Sequence, residues 1–369
     1  EILPQDAIAR NYAGGLVGYI GYDAMTYFEQ SLQLAPHPLF DQFMFGVFTD
    51  GIIFDKVTGE LFYFYYGENR ISFIHKMNKT TPVKRHVHIK NQKDSLTKQQ
   101  HKKLVAQAKE EIIAGNTFQC QIGFKSEFTI KGDAIVVYDR LRTVNPSPFM
   151  YYIKFGDKKI IGASPELLFG MRDKEMSTFP LAGTITRGKT KQEDQQLART
   201  LLNDPKEIAE HNMLVDLHRN DIGRVAQFGS VKVRNLMDIK RFSHVQHISS
   251  EIVGLLHPEH DMFSSFASNF PAGTLSGAPK IESMKIIERL ENNPRGPYGG
   301  AVGHFGFTGD CTFAIPIRTL FISGDYGFTQ ASGGIVYDSN PDKEYEEIQN
   351  KMKAVKKVLG ISNYLKTEN

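Results

Sequence analysis

The eleven residues FQCQIGFKSEF alternate in character: Phe118, Cys120, Ile122 and Phe124 fall on one side, Gln119, Gln121 and Gly123 on the other. Only a β-strand, with its period of two, puts these sets on opposite faces. The segment therefore requires a sheet with one buried face and one polar face. Upstream, Leu104, Val105, Ala108 and Ile112 recur at helical spacing. They predict a helix through Ile113 with Asp94 or Ser95 as its cap and Gly115 as its stop. Downstream, strands are expected in MYYIKF, KIIGASPELLFGM, GSVKVRN, HVQHISSEIVGLL, TFAIPIRTLFI and FTQASGGIVY, and helices over 133–143, 191–203, 205–217, 279–292 and 341–359. Nearer the start, YFEQSLQL and FGVFTDGIIF predict strands, and GIIFDKVTGELFYFYY a hairpin. The glycines of NYAGGLVGYIGYDAM mark bends or close backbone approaches. Strands and helices mix without regular βα alternation, so the fold class is α+β.

Charge distribution bears on organisation. Lys76 to Lys103 holds nine Lys/Arg and one acid, leaving 35 basic and 40 acidic residues elsewhere, a net of −5. That basic stretch has no aromatic residue for a base to stack on, so it predicts a solvated linker and no nucleic-acid partner. Hydrophobic residues at 41% and charged residues at 23% are ordinary globular usage. No apolar run approaches the roughly 18 residues of a membrane span, so no membrane partner is expected. The chain opens Glu1-Ile2-Leu3-Pro4, without a basic leader, and its first residue is not Met, which leaves room for further amino-terminal residues. Two cysteines, Cys120 and Cys311, cannot build a disulfide framework. The expected location is cytoplasmic.

Three constellations could carry chemistry. Asp204-Pro205 and Asn340-Pro341 each open a helix, and each helix carries spaced carboxylates: Glu207 and Glu210 on the first, Glu344 and Glu347 with Lys351 on the second. By themselves these are solvated faces with an ordinary Glu–Lys pair. Together they could aim carboxylates at a shared Mg²⁺, a hard cation that takes few protein ligands. Glycine loops in PLAGTITRG, FPAGTLSGAPK and QASGGIV lie beside strands or helices, where exposed amides suit an anion. Finally, His247 lies in a strand pattern, and Arg318 interrupts the apolar run TFAIPIRTLFI, where a charge must be paired. These residues reach as far as a Mg²⁺ enzyme for an anionic substrate.

Taken together, HNMLVDLHRNDIGRV, NPSPFMYYIKF, GASPELLF, FPAGTLSGAPKIESMKIIERLE, GPYGGAVGHFGFTGDCTFAIPIRT and QASGGIVYDSNPDKEYEEIQNK resemble the chorismate-utilising enzymes. Within that family the nearest likeness is to anthranilate synthase component I. It spans about Ser95 to Gly360 and is weaker at NYAGGLVGYIGYDA. The resemblance implies a large α/β sandwich, two sheets with flanking helices around the active site. Residues 1–93 would be a remnant of the family's amino-terminal region plus the basic linker, and 94–369 the chorismate-binding catalytic domain.

It also implies roles. Mg²⁺ would be held by Glu210 and Glu347, with Glu207 and Glu344 nearby. Gly183, Thr184, Thr274, Gly277, Ala278, Ser332, Gly333 and Gly334 would receive substrate oxygens. Tyr298 and Arg318 would hold the enolpyruvyl carboxylate, and Lys351 would offset surplus acid. Ammonia adds at C2 while the C4 hydroxyl leaves, protonated by Glu166; pyruvate is then eliminated with help from His247. Water-adding relatives place a lysine base where this chain has Gln119, so Gln119 speaks for ammonia. Aminodeoxychorismate synthases use a lysine where this chain has Ala182. The expected activity is a Mg²⁺-dependent lyase making anthranilate and pyruvate for tryptophan biosynthesis. Its ammonia would come from a glutaminase, component II, in a heterotetramer. Aminodeoxychorismate synthase component I and a catalytically silent chorismate-binding subunit are the rival readings. The sequence departs from the family in lacking the Leu-Leu-Glu-Ser tryptophan motif. At the same inhibitor site it has Phe149 for the usual Tyr, between Pro148 and Met150. It also has His218 for Gly or Ala, and Ser332 for Gly.

Overall fold

The computed structural model describes residues 12–77, 85–241 and 245–360. Strands β1 (Gly15–Ile20) and β2 (Phe43–Phe48) precede the predicted hairpin, β3 (Asp50–Phe54) and β4 (Leu61–Tyr65), and a short helix α1 (Ile71–Met77). Next come β5 (Val87–Asp94), α2 (Lys98–Ile113), β6 (Gln119–Gly132) and α3 (Ile135–Val144). Strands β7 (Phe149–Phe155), β8 (Lys158–Ser164), β9 (Leu167–Arg172), β10 (Glu175–Thr178) and β11 (Leu181–Thr186) lead to helices α4 (Lys191–Leu202) and α5 (Pro205–Gly223). Then follow β12 (Lys232–Arg241), β13 (Val245–Leu255), α6 (Met262–Asn269), β14 (Gly277–Ala278) and α7 (Lys280–Leu290). The chain closes with β15 (Ala301–Gly306), β16 (Cys311–Ala314), β17 (Thr319–Ser323), β18 (Tyr326–Ile335) and α8 (Pro341–Val358).

Two large sheets organise these elements. One has nine strands in the order β11-β13-β10-β9-β16-β15-β1-β2, with β12 also on β13; the other has seven, β14-β6-β18-β17-β8-β7, with β5 on β6. The main core is aromatic-rich, with Tyr19, Phe169, Phe266, Phe305, Phe313, Phe321 and Phe328 in one cluster. Cys120 and Ile122 of β6 pack instead against Val105 and Ala108 of α2 and Ile286 and Ile287 of α7. The α+β sandwich expected from the resemblance is the fold observed.

Several local expectations need correction. The basic stretch is not a linker throughout: Val87–Asp94 is a strand hydrogen-bonded along β6. Its basic residues alternate outward while Val87 and Ile89 pack on a core cluster, a pattern hidden by the high charge. Asp94 does not cap α2. It accepts from Lys356 Nζ at 2.9 Å and Gln349 Nε2 at 2.7 Å, and Thr97 caps the helix in a capping box with Gln100. YFEQSLQL forms no strand. Phe118 is exposed and precedes β6, while Gln119 and Gln121, on the polar face, are buried.

The most consequential corrections concern two segments read as continuous strands. KIIGASPELLFGM is split: β8 belongs to the seven-stranded sheet and β9 to the nine-stranded one. TFAIPIRTLFI is split in the same way, β16 in the larger sheet and β17 in the smaller. Glu166 and Arg318 therefore sit where the chain crosses between sheets. The crossovers are tied together, Ile315 N–H donating to Glu166 O at 3.1 Å and Ala163 N–H to Arg318 O at 3.3 Å. Arg318 adopts φ +51°, a left-handed backbone outside the extended range of a regular strand.

Candidate active site

At the first crossover the Glu166 carboxyl is enclosed, and Thr274 Oγ1 donates to its Oε1 at 2.9 Å. Burial raises its pKa to about 7, against the opposing pull of the Thr274 hydrogen bond and of Lys351 and Arg318. A carboxyl so placed holds a proton near neutrality and can give it up. Arg318, from the second crossover, is mostly buried, which lowers its pKa, and Glu166 counters that effect.

His247 comes from β13. Its Nδ1 lies 2.9 Å from Gly183 O and 3.1 Å from Thr184 Oγ1. A carbonyl can only accept, so Nδ1 carries the hydrogen and Nε2 the lone pair. Burial lowers the His247 pKa, the Gly183 bond opposes this, and Arg318 and Lys351 add to the lowering. The ring is thus a neutral base. Gly183 itself has φ +62°, and a Cβ there would stand 2.8 Å from Glu207 Oε2. This irregular point in β11 needs glycine both for its backbone and for the carboxylate beside it.

Helices α5 and α8 begin as predicted. Asp204 accepts from the amides of Lys206 and Glu207, Asn340 from those of Asp342 and Lys343, and proline follows each cap. The carboxylates of the two helices feel one another. Burial raises the Glu210 pKa and Glu347 raises it further, against Lys206, Lys351 and a hydrogen bond from Gln119. Glu207 is raised by burial, then by Glu210, Asp204 and Glu347; Glu344 is raised by burial and Glu347. Lys351 Nζ bridges Glu347 Oε1 and Ser332 O, both at 2.8 Å. Among the described residues no three metal-ligating side chains are gathered into a ready coordination shell. The donors are all hard oxygens, and mutually repelling carboxylates with too few cations suit an ion that keeps most of its shell for water and substrate.

Strand β18 passes between these groups. A Cβ at Gly333 would stand 2.9 Å from Glu344 Oε2, and one at Gly334 2.4 Å from Gln119 Nε2, so the glycine pair lets side chains close in on both sides of the strand. Tyr298 Oη lies 2.9 Å from Ser332 Oγ, and burial raises the phenol pKa to about 12. Gly277 and Ala278 form β14, in register with Cys120 and Gln119. Pro148 precedes β7, an edge strand that begins with Phe149 and Met150, with Phe149 packed on the main core and Met150 on the cluster under α3 and α8. His218 is buried, and burial with Lys280 nearby pushes its pKa down to about 3.

The sequence reading missed the group that holds the site together from behind. Arg295 donates to both Glu291 carboxylate oxygens at 2.8 Å, to Leu275 O at 2.6 Å and to Gln121 O at 2.9 Å. Glu291 in turn accepts from Gly123 N–H at 2.8 Å. The two are four residues apart, but the predicted helix ends at 292 and Pro294 follows it, so helical i,i+4 pairing does not reach Arg295.

The chorismate binding enzyme family matches residues 2–357. Anthranilate synthase component 1 of Leptospira biflexa is 56% identical over 367 residues, 98% of this chain and 79% of that protein. Among solved structures, anthranilate synthase component I from Streptococcus pneumoniae has a TM-score of 0.85 at 33% identity, covering 93% of this chain and 80% of that one. The menaquinone-specific isochorismate synthase from Escherichia coli reaches 0.70 at 24% identity, over 78% of this chain and 67% of that one, a likeness of fold alone.

Proposed function

This chain belongs to the family of chorismate binding enzymes, and from that premise we propose that it converts chorismate and ammonia to anthranilate and pyruvate. The observation that carries the reading is a pairing: a proton-holding Glu166 and a neutral His247, both facing the charges of Arg318 and Lys351. A reaction that must protonate a departing hydroxyl and later remove a ring proton needs one of each. Glu166 protonates the C4 hydroxyl as ammonia attacks C2. His247 Nε2 then takes the C2 proton while the C3–O bond breaks and the ring becomes aromatic; the side chain leaves as the enolate of pyruvate, which takes up a proton at its methylene carbon. Gln119, beside Glu210, has no amine with which to deprotonate water, which supports ammonia as the nucleophile.

Mg²⁺ would be held by Glu210 and Glu347, with Glu207 and Glu344 receiving bridging waters; when bound it supplies Lewis-acid polarisation of the ring carboxylate. Arg318 binds the enolpyruvyl carboxylate, and the Tyr298 hydroxyl acts on the substrate through Ser332. Amides of Gly183, Thr274, Gly277, Ala278, Ser332, Gly333 and Gly334 and the hydroxyl of Thr184 receive substrate oxygens. Pro148, Phe149 and Met150 are proposed contacts for tryptophan as an inhibitor.

A separate glutaminase component supplies ammonia. Burial pushes both Cys120 and Cys311 up to about 12, so neither thiol serves as the nucleophile that glutamine hydrolysis requires. Among the described residues no helix is long and apolar enough to cross a membrane, and we place the reaction in the cytoplasm.

The test is product identification with chorismate, Mg²⁺ and ammonium. Anthranilate fluorescence with one pyruvate per turnover is expected; aminodeoxychorismate without pyruvate would overturn the assignment and the weight placed on Ala182. Two variants sharpen it. His247→Asn is expected to accumulate an aminated ring that keeps its enolpyruvyl group, seen by chromatography, and normal pyruvate release would remove His247 from the second step. Glu347→Gln is expected to abolish Mg²⁺-dependent turnover while leaving assembly with the glutaminase intact. Full activity in that variant would refute the metal role.

A further inference from the structure

Gln121 lies two residues from Gln119 on the same face of β6, and it is opposite Gly334 in the β6–β18 register. It has no role in the chemistry above, yet only 7% of it is exposed. Its Oε1 accepts from Ser332 Oγ at 3.0 Å, and Ser332 Oγ lies 2.9 Å from Tyr298 Oη. The direction of this chain follows from inventory. An amide oxygen only accepts, so the single Ser332 hydrogen goes to Gln121, and the Tyr298 hydrogen must go to Ser332. The Tyr298 hydroxyl is then committed and offers only lone pairs.

The donor capacity reappears at the far end. With Oε1 held by Ser332, the Gln121 amide nitrogen is turned the other way. A Cβ at Gly334 would stand 3.0 Å from Gln121 Nε2 and 2.4 Å from Gln119 Nε2, so two amide nitrogens converge above one glycine. Among the described residues no acceptor meets Gln121 Nε2, and the atom is not sealed from solvent. Two neighbouring N–H donors over a backbone without a side chain suit an oxygen anion.

We propose that Ser332 relays the hydrogen-bond donor of Tyr298 to the Gln121 amide, and that Gln121 binds a carboxylate oxygen of the substrate beside Gln119. The proposal rests on the reading of the substrate as the dicarboxylate chorismate. Ser332, which stands where the family commonly has glycine, is on this view the positioning residue and Gln121 the contact.

The test measures equilibrium binding of chorismate to the whole chain, together with kcat and KM. Gln121→Met keeps shape and removes both donors; it is expected to weaken binding about 10- to 100-fold, the range for a hydrogen bond to a charged group, with kcat changed far less. Gln121→Glu, which presents an acceptor to an anion, should be weaker still. Ser332→Ala should weaken binding by a smaller factor and add nothing in the Gln121→Met background, because the two act through one contact. Unchanged chorismate affinity in folded Gln121→Met, or independent multiplication of the Ser332→Ala and Gln121→Met effects, would overturn the proposal. Should Gln121→Met fail to fold, Gln121→Glu takes its place in both measurements, and unchanged chorismate affinity in that variant overturns the proposal. Because binding is read apart from turnover, a wild-type chain that binds chorismate without making anthranilate defeats the proposed reaction, while the Gln121 affinity ratio still judges this contact.

Discussion

Glu166→Gln is expected to lower kcat about 100- to 10,000-fold, the usual range for removing a positioned general acid, while chorismate affinity stays within a few fold. The amide keeps the shape of the carboxyl and its contact with Thr274 but has no transferable proton. The wild-type pH profile should carry the same signature. With a pKa raised to about 7, the proton-bearing form dominates below neutrality and falls away above it. The rate per free ammonia molecule should therefore decline as pH rises through about 7, and the variant should lack that limb. Thr274→Val should move the limb upward, because the Thr274 hydrogen bond favours the ionised carboxylate. A variant with near-normal kcat, or a wild-type limb that does not respond to Thr274, would take the acid role from Glu166.

The second large effect is on stability. Arg295→Met is expected to cost about 3–5 kcal/mol, since it strands a buried carboxylate. The Arg295 and Glu291 side chains are only 2% and 5% exposed, so water cannot replace the lost partner. The carbonyls of Leu275 and Gln121 lose their donor in the same step. Urea denaturation followed by circular dichroism reads the effect. Replacing Arg295 and Glu291 together by methionine should recover part of the loss, as no charge is then left unpaired. A cost under about 1 kcal/mol for Arg295→Met would show that the pair is not what holds β6 to the loop before β14. The same pair joins the strand bearing Gln121 to the loop bearing Thr274, so its loss should also reach the site.

How much of this could be read from the chain depends on range. Asp204-Pro205 and Asn340-Pro341 announce their helices because a cap acts within one turn. Gln119 and Gln121 announce a shared face because a strand alternates whatever it pairs with. Of the residues that sequence reasoning named, Glu166 and His247 each feel Arg318 and Lys351, and Lys351 also acts on Glu210 and Glu344 of α5 and α8. Other features were not legible. The basic stretch concealed β5, since its inward Val87 and Ile89 are outnumbered by outward charges. TFAIPIRTLFI has the composition of one strand, and nothing local shows that its halves serve different sheets.

The boundary between the two kinds of information is physical. Caps, alternation and turn residues act over one to four positions and are written in the order of residues, so the helices, the polar face of β6 and the carboxylate spacing were available without a fold. The two crossovers, the burial that lifts Glu166 to about 7 and lowers His247, and the Arg295–Glu291 clamp each join groups from elements far apart in the chain. Their energies come from excluded water and from charges brought together only when both sheets close, and a linear pattern carries no record of that closure.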